Sequence, residues 1–318
     1  MPSTPDISVV VPSHERPVRL RWLLNALAEQ TLDRNRFEVI VAHDSGQQTK
    51  ALLRTHAIDP REIDLPPCGA APKRNAGWRA ARAPLVAFTD DDCRPPTEWL
   101  ERALAAAKRH PGAIVQGMTM PDPDEVALEA AAPHTHTQRI VPPSHAAQTC
   151  NIVYPRDVLE RLGGFVEGLE SGDDTDLAAR ARREGVGYVG AREVLTWHAV
   201  EPTTLWRSLR GARRWQDVPA AVKRSPELRE HMPMWFFWKR THVWLGPAVA
   251  GAALARRKPA AAAALALPWL IHALPQEYGT GPRGRARAIS ELPGRAAIDV
   301  AELAALAKGS VKHRSLLL

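Results

Sequence analysis

Cysteine is scarce in this chain of 318 residues, which carries only Cys68, Cys93 and Cys150. Three scattered thiols make no disulfide framework, so a reducing compartment is the default expectation. No apolar run reaches the roughly 20 residues of a spanning helix. The opening MPSTPDISVVVPSHERP has too short an apolar stretch for a signal peptide. The chain has no internal repeat and no Gly-X4-Gly-Lys-Ser/Thr phosphate loop. GTGPRG (residues 279 to 284) spells Gly-X-Gly-X-X-Gly, but it contains Pro282 and follows no strand, which excludes a dinucleotide fingerprint. Hydrophobic content of 45% and charged content of 24% exclude wholesale disorder. The net charge of +7 favours anionic partners.

Short apolar runs alternate with amphipathic stretches through the first 120 residues. Ile7 to Val11 predicts a buried strand broken by Pro12. A helix follows with Leu20, Leu23, Leu24 and Leu27 on one face. FEVIVAHDSG and PLVAFTDDD read as further buried strands, and GAIVQG as another. APKRNAGWRAARA reads as a helix, and TEWLERALAAAKRH as a helix capped by Thr97. This alternation predicts an α/β fold, a Rossmann-like and mostly parallel sheet flanked by helices. Ligands in such sheets bind beyond the carboxyl ends of the strands. PSHE, HDSG and TDDD all fall there.

Residues 118 to 149, rich in Pro and His, read as a long excursion, and VGYVGAREVLTWH as paired short strands. WRSLRGARRW is a basic, Trp-bearing helix. No recognised nucleic-acid module accompanies it, so nucleic acid is not expected as a partner. A zinc site from His134, His136, His145 and Cys150 follows no standard spacing, and a polar loop is the expected reading. After residue 225 two apolar pieces flank the basic ARRK turn, with Lys239 and Arg240 before them and Arg283 beyond. The expected division is residues 1 to 225 for the catalytic domain and 226 to 318 for a helical, membrane-associated region. Basic residues on every flank favour a hairpin lying on or in the cytoplasmic leaflet, with Trp235, Trp238, Trp244 and Trp269 as anchors. The alternative is a soluble, Ala-rich helical pair and a cytoplasmic protein.

FTDDDCRPP crowds Asp90, Asp91 and Asp92 behind an apolar strand. Adjacent like charges repel, so either the cluster is solvated or something positive belongs there. On an extended chain Asp90 and Asp92 project to one side and Asp91 to the other. Two such oxygens with a substrate phosphate suit Mg²⁺ or Mn²⁺, and a solvated acidic turn ahead of a helix is the competing reading. GDDTDL sets Asp173, Asp174 and Asp176 at a second helix entrance, as caps or as a proton acceptor of raised pKa. His198, ending a strand, could add one nitrogen to a metal.

Taken in order, VVVPSHERP, EVIVAHDSG, KRNAG, VAFTDDDCRPP, NIVYPRDVLERLGGFVE, GDDTDL and TWH resemble glycosyltransferase family 2, over roughly residues 6 to 215. The resemblance implies a GT-A fold and inverting transfer of a sugar from a nucleotide diphosphate sugar to an acceptor hydroxyl, assisted by Mn²⁺ or Mg²⁺. It implies Asp174 as general base, Asp92 and His198 as metal ligands, and Asp90 and Asp91 in the Asp-X-Asp position beside the donor. Pro12, His14, Glu15, Asp44, Arg74 and Asn75 fall where the nucleotide binds. Asp173, Arg214 and Trp215 fall on the acceptor side.

Three departures qualify this. His43 stands where Asp is commoner, and Asp173 where Glu is usual. Gly211 replaces the Gln of the Gln-X-X-Arg-Trp motif, which favours a single addition over a processive enzyme. The apolar C-terminal pieces suggest a lipid-linked or cell-envelope acceptor. A metal-dependent nucleotidyltransferase or phosphohydrolase, which also clusters Asp at strand ends, and an inactive membrane-bound scaffold are the alternatives.

Overall fold

The computed structural model describes residues 4 to 131, 134 to 274 and 281 to 318. Its strands are β1 (Ile7–Ser13), β2 (Phe37–His43), β3 (Arg61–Asp64), β4 (Leu85–Thr89), β5 (Cys93–Arg94), β6 (Ile114–Pro121), β7 (His134–His136), β8 (Asn151–Pro155), β9 (Tyr188–His198) and β10 (Glu201–Thr203). The longer helices of the first half are α1 (Pro17–Ala28), α2 (Gln47–Thr55), α3 (Ala70–Ala80) and α4 (Trp99–Arg109). Short α5 (Ala127–Ala131) and α6 (Arg156–Leu162) precede α7 (Asp173–Arg183). Then come α8 (Leu205–Gly211), α9 (Val218–Arg224), α10 (Arg240–Leu254), α11 (Pro259–Ala273) and α12 (Pro282–His313).

The chain divides into two compact units. One comprises Met1–Glu125 and Thr137–Val200, the other Val126–His136 and Glu201–Leu318.

The first unit is built on one sheet of order β3-β2-β1-β4-β8-β6-β9-β5. β1 pairs in parallel with β2 and β4, β2 with β3, and β6 with β9; β8 and β5 run antiparallel to their neighbours. The alternation of side chains along β1 sorts the core into two layers. Ile7, Val9 and Val11 pack with α1, α2 and α4 on one face. Val10, Val86 and Phe88 pack with Trp78 of α3, Leu159 of α6 and Leu177 of α7 on the other. Both faces are therefore covered, which is why these strands are apolar runs.

Four local expectations change. β1 continues through Pro12, which pairs with Ala42; pairing with β4 has stopped at Val10, so on that side the missing N–H costs no ladder bond. Thr97 does not cap α4: Gln30 Oε1 instead accepts the N–H of Leu100 at 3.0 Å, so another element satisfies the free donor. The expected pair of short strands is one strand, β9, whose register with β6 shifts between Gly117 and Met118. Within the expected polar loop, His134–His136 form β7, antiparallel to β10.

In the second unit α10, α11 and α12 share an apolar core around Leu245, Trp269 and Leu303. α10 and α11 form a close hairpin, and a Cβ on Gly251 would lie 2.7 Å from the Ala262 carbonyl oxygen. Each of these two helices has 15 residues and an internal proline, Pro247 or Pro268. Among the described residues no helix is long and apolar enough to cross a membrane. Residues 275 to 280, with the first two residues of GTGPRG, lie outside the described residues.

Candidate active site

The parallel strands bring the polar ends of β1, β2, β4, β6 and β9 to one edge of the sheet. Asp90, Asp91 and Asp92 follow β4 as a turn, not as extended chain. The alternation expected for Asp90 and Asp92 therefore does not apply. Asp91 and Asp92 share one partner, and Asp90 turns to another.

The solvated reading of this corner fails, because Asp91 and Asp92 are only 5% and 7% exposed. Asp91 Oδ2 accepts from Ser13 Oγ at 2.7 Å and from the His14 N–H at 3.3 Å. Arg16, the residue before α1, places Nη1 3.4 Å from Asp91 Oδ1 and 2.5 Å from Asp92 Oδ2. Burial, then the neighbouring Asp92, pushes the Asp91 carboxyl up to about 7 against the pull of Arg16 and Ser13.

Cys93 pairs with His198 across β5 and β9, and the Ala199 N–H donates to the Asp92 carbonyl at 2.9 Å. His198 is thereby fixed beside Asp92. Its Nδ1 lies 2.9 Å from the Ala199 carbonyl oxygen and must carry the proton there. Its Nε2 then faces Asp92 Oδ1 at 3.5 Å. Asp92 Oδ1 is buried with no hydrogen-bond partner. Two electron-rich atoms facing each other, one oxygen and one nitrogen, suit a divalent ion.

Arg74, on α3, joins the two acidic clusters. Its Nη2 donates to Asp90 Oδ1 and its Nη1 to Asp173 Oδ2, both at 3.1 Å. Burial alone would weaken its charge; Asp90, Asp173 and Asp174 more than restore it. Asp173 and Asp174 open α7 behind Gly172, where the helix dipole favours negative charge. Asp174 Oδ1 accepts from the Thr175 N–H at 2.7 Å, and the residue stays partly exposed. Desolvation, then Asp173, raises the Asp174 carboxyl to about 7 against the pull of Arg74. Asp176 is fully buried and holds Arg180, whose other nitrogens reach the carbonyls of Leu162 and Gly164.

After β2, Asp44 accepts from Lys73 Nζ and His14 Nδ1, each at 2.7 Å, and from the Cys68 N–H at 2.9 Å. Burial pushes its carboxyl up, but these three donors outweigh it and hold the group well below the usual range. His43 is structural: Nδ1 accepts the Ser45 N–H, leaving Nε2 to donate to Glu62 at 3.1 Å. Glu15 and the loop after β2 exchange bonds, the Glu15 N–H to Ser45 Oγ and the Gly46 N–H to Glu15 Oε1, both at 2.8 Å. Pro12 is buried in β1 beside them.

The Asn75 amide donates to the Phe165 carbonyl and Glu167, and accepts from the Phe165 N–H and Trp78 Nε1. Both ends of this amide are engaged with the loop before α7 and with Trp78. Arg214 and Trp215 belong to the second unit, where Arg214 stacks on Trp215 and Trp215 packs on Trp238. Sequence reasoning missed Arg16, Ser13 and Lys73. The signal for Lys73 was its place beside Arg74, and for Ser13 and Arg16 their position just after β1.

A third acidic cluster lies in the C-terminal unit, where single ligand atoms of His242, Asp299 and Glu302 come within 4.8 Å of one another. Lys239 Nζ already sits 2.7 Å from both Glu302 oxygens, and Thr241 and Trp269 donate to Asp299. Here the compensating charge is built in, and the network ties α10 and α11 to α12.

Comparison with known proteins agrees with this frame. The profile of glycosyl transferase family 2 matches residues 8–163. Glycosyltransferase AglE of Haloferax volcanii is 30% identical over 208 residues, 62% of this chain and 68% of that protein. Validoxylamine A glucosyltransferase of Streptomyces hygroscopicus subsp. jinggangensis is 26% identical over 278 residues, and the match spans 75% of this chain but only 64% of that relative's length. Among solved structures, the mannosyltransferase PcManGT from Pyrobaculum calidifontis, in complex with GDP-Man and Mn²⁺, superposes with a TM-score of 0.57 at 19% identity, over 98% of this chain and 88% of that one. S. aureus TarS 1-349 in complex with UDP-GlcNAc gives 0.53 at 16% identity, over 98% and 92%. These likenesses define the class, an α/β glycosyltransferase of GT-A fold. The chain belongs to glycosyl transferase family 2.

Proposed function

We propose that this protein transfers a single sugar from a nucleoside diphosphate sugar to an acceptor hydroxyl with inversion at the anomeric carbon. The observation that carries the reading is the Arg74 clamp, which sets the corner at Asp90 and the α7 entrance at Asp173 against the same guanidinium. Donor and acceptor chemistry can therefore share one cleft. The structural neighbours bound to UDP-GlcNAc and to GDP-Man with Mn²⁺ support the donor class and the ion.

Asp44, His14 and Glu15, held in the loops after β1 and β2, contact the nucleoside, with Asp91 and Asp90 beside its ribose and phosphates. Asp92 and His198 hold Mn²⁺ or Mg²⁺. Such an ion stabilises the charge that grows on the diphosphate as it leaves. Asp174 takes the proton of the acceptor hydroxyl as the oxygen attacks. The new carbon–oxygen bond forms on the face opposite the leaving group, the old one breaks, and its electron pair departs with the nucleoside diphosphate. Asp173 positions the acceptor. Gly211, in place of the processive motif's glutamine, supports release after one addition.

The C-terminal hairpin supports placement at the cytoplasmic membrane face and a lipid-linked or envelope acceptor. Val249, Leu267 and Ile271 are exposed on α10 and α11, with Trp235 and Trp244 nearby in sequence and Arg256, Arg257 and Lys258 in the turn. The deciding experiment is a thermal-shift panel of nucleotide sugars with Mn²⁺ and Mg²⁺, followed by product analysis. One donor should stabilise the protein more with the ion than without it and yield nucleoside diphosphate. Pyrophosphate as the product, or no ion-dependent shift with any nucleotide, would overturn the reading.

A further inference from the structure

Two adjacent carboxylates that are almost wholly buried need positive charge, and the chain supplies one itself. Arg16 Nη1 contacts Asp91 and Asp92 together, at 3.4 and 2.5 Å. Its side chain is 41% exposed whereas theirs are 7% and 6%. The guanidinium thus lies on the solvent side of the corner. It also divides Asp92 in two: Oδ2 is bound to Arg16, while Oδ1 is buried, makes no hydrogen bond, and lies 3.5 Å from His198 Nε2. A divalent ion at Oδ1 would share this carboxylate with a guanidinium. Two cations on one carboxylate repel each other, and that repulsion falls once an anion lies beside both.

We propose that Arg16 is the built-in counter-ion of the aspartate corner, one that opposes binding of the divalent ion alone and engages the donor diphosphate when it arrives. Metal and nucleotide binding are then coupled through this side chain. The free protein holds the ion weakly, and each ligand strengthens the other by the same factor. This rests on the reading of Asp92 and His198 as the ion's ligands.

The test is titration of the full chain with Mn²⁺, followed by calorimetry and by the electron paramagnetic resonance signal of free Mn²⁺, with and without UDP or GDP, whichever the donor panel selects. Arg16→Gln should bind Mn²⁺ alone on the order of tenfold more tightly, as expected for removing a unit charge next to a divalent ion in a water-like dielectric. The gain in Mn²⁺ affinity conferred by the nucleotide should shrink by a similar factor. Arg16→Lys, which keeps the charge, should restore the wild-type pattern and separates the effect from misfolding. Asp92→Asn should abolish Mn²⁺ binding in every background. Unchanged or weaker Mn²⁺ binding in Arg16→Gln, with Asp92→Asn silent, overturns the proposal alone. Wild-type Mn²⁺ binding in Asp92→Asn overturns the ligand assignment beneath it.

Discussion

Asp90 and Asp173 are bound to two nitrogens of one guanidinium, that of Arg74, each at 3.1 Å. One carboxylate follows β4 and the other opens α7, so this residue decides whether the two acidic clusters work together. Its side chain is 9% exposed, and removing one partner of a buried ion pair leaves uncompensated charge. Arg74→Ala should cost about 3–5 kcal/mol of stability by that reasoning, read as a fall in the denaturation midpoint at unchanged slope. Arg74→Lys cannot span two carboxylates with a planar fork and should recover only part of the loss. A midpoint unchanged in Arg74→Ala would show that the clamp carries no weight.

The base assignment has a pH signature. The Asp174 carboxyl is raised to about 7 by burial and by Asp173, and Arg74 pulls it down. A base must be deprotonated to accept a proton, so kcat should rise with pH through that region and level off above it. Arg74→Lys, with the charge less closely placed, should move the rise to higher pH; Asp173→Asn, which removes the like charge, should move it lower. Asp174→Asn should lose about 10²- to 10⁴-fold in kcat while still binding nucleotide. A flat profile across this range, or normal turnover in Asp174→Asn, removes Asp174 from the role.

The metal pair makes a separate prediction. Asp92 Oδ1 and His198 Nε2 face each other at 3.5 Å, and neither side chain is needed for the Asp44 contacts after β2. Asp92→Ala and His198→Ala should each abolish the Mn²⁺-dependent part of nucleotide binding and leave the metal-independent part in place. Calorimetry with and without the ion separates the two. Equal loss of both parts would mean that the corner collapses as a whole.

The frame of this fold was legible because it is written in local pattern. Continuous apolar runs marked β1, β2, β4 and β6, and the carboxyl-edge rule drew the polar clusters together from the sequence. The rest depends on residues distant in the chain. Gln30 takes over the capping expected of Thr97, and Arg16 finds carboxylates 75 and 76 positions away. Arg74 reaches Asp173 across 99. The alternation applied to Asp90 and Asp92 failed because the strand ends at Thr89 and the aspartates form a turn. Asn75 sits in the family motif, yet its amide is consumed by a loop 90 residues on.

That loop yields a stability prediction. Gly164 has φ of +77°, and a Cβ there would lie 2.4 Å from Asn75 Oδ1 and 2.5 Å from Trp78 Nε1. Gly164→Ala must therefore adopt a left-handed backbone and push apart the amide that pins the loop. Strain of about 1–3 kcal/mol and overpacking of a similar size should lower the melting temperature clearly. Because the loop leads into α7, kcat should fall more than donor affinity. Gly163→Ala, where nothing lies within 4 Å of the Cβ, carries the backbone strain alone and should cost less. Equal losses in the two variants would show that the Asn75 contact does not matter.

At 15 residues each, α10 and α11 measure about 22 Å, short of the roughly 30 Å of a bilayer core. They nevertheless expose Val249, Leu267 and Ile271, while Met234, Trp235 and Phe236 stand exposed ahead of α10. Met234 and Trp235 do so at φ of +49° and +71°, a conformation that costs energy for residues with side chains. Exposed tryptophan beside basic residues suits the headgroup region of an anionic leaflet. Vesicles containing phosphatidylglycerol should therefore sediment the protein, and neutral phosphatidylcholine vesicles should do so weakly. Replacing Arg256, Arg257 and Lys258 with Gln should cut binding by roughly the electrostatic share, about 1 kcal/mol per charge, and high salt should mimic that loss. Trp235→Ala should weaken binding to both vesicle types. Recovery of all the protein in the supernatant at low salt would exclude the membrane surface and leave the hairpin as a packing element of the second unit.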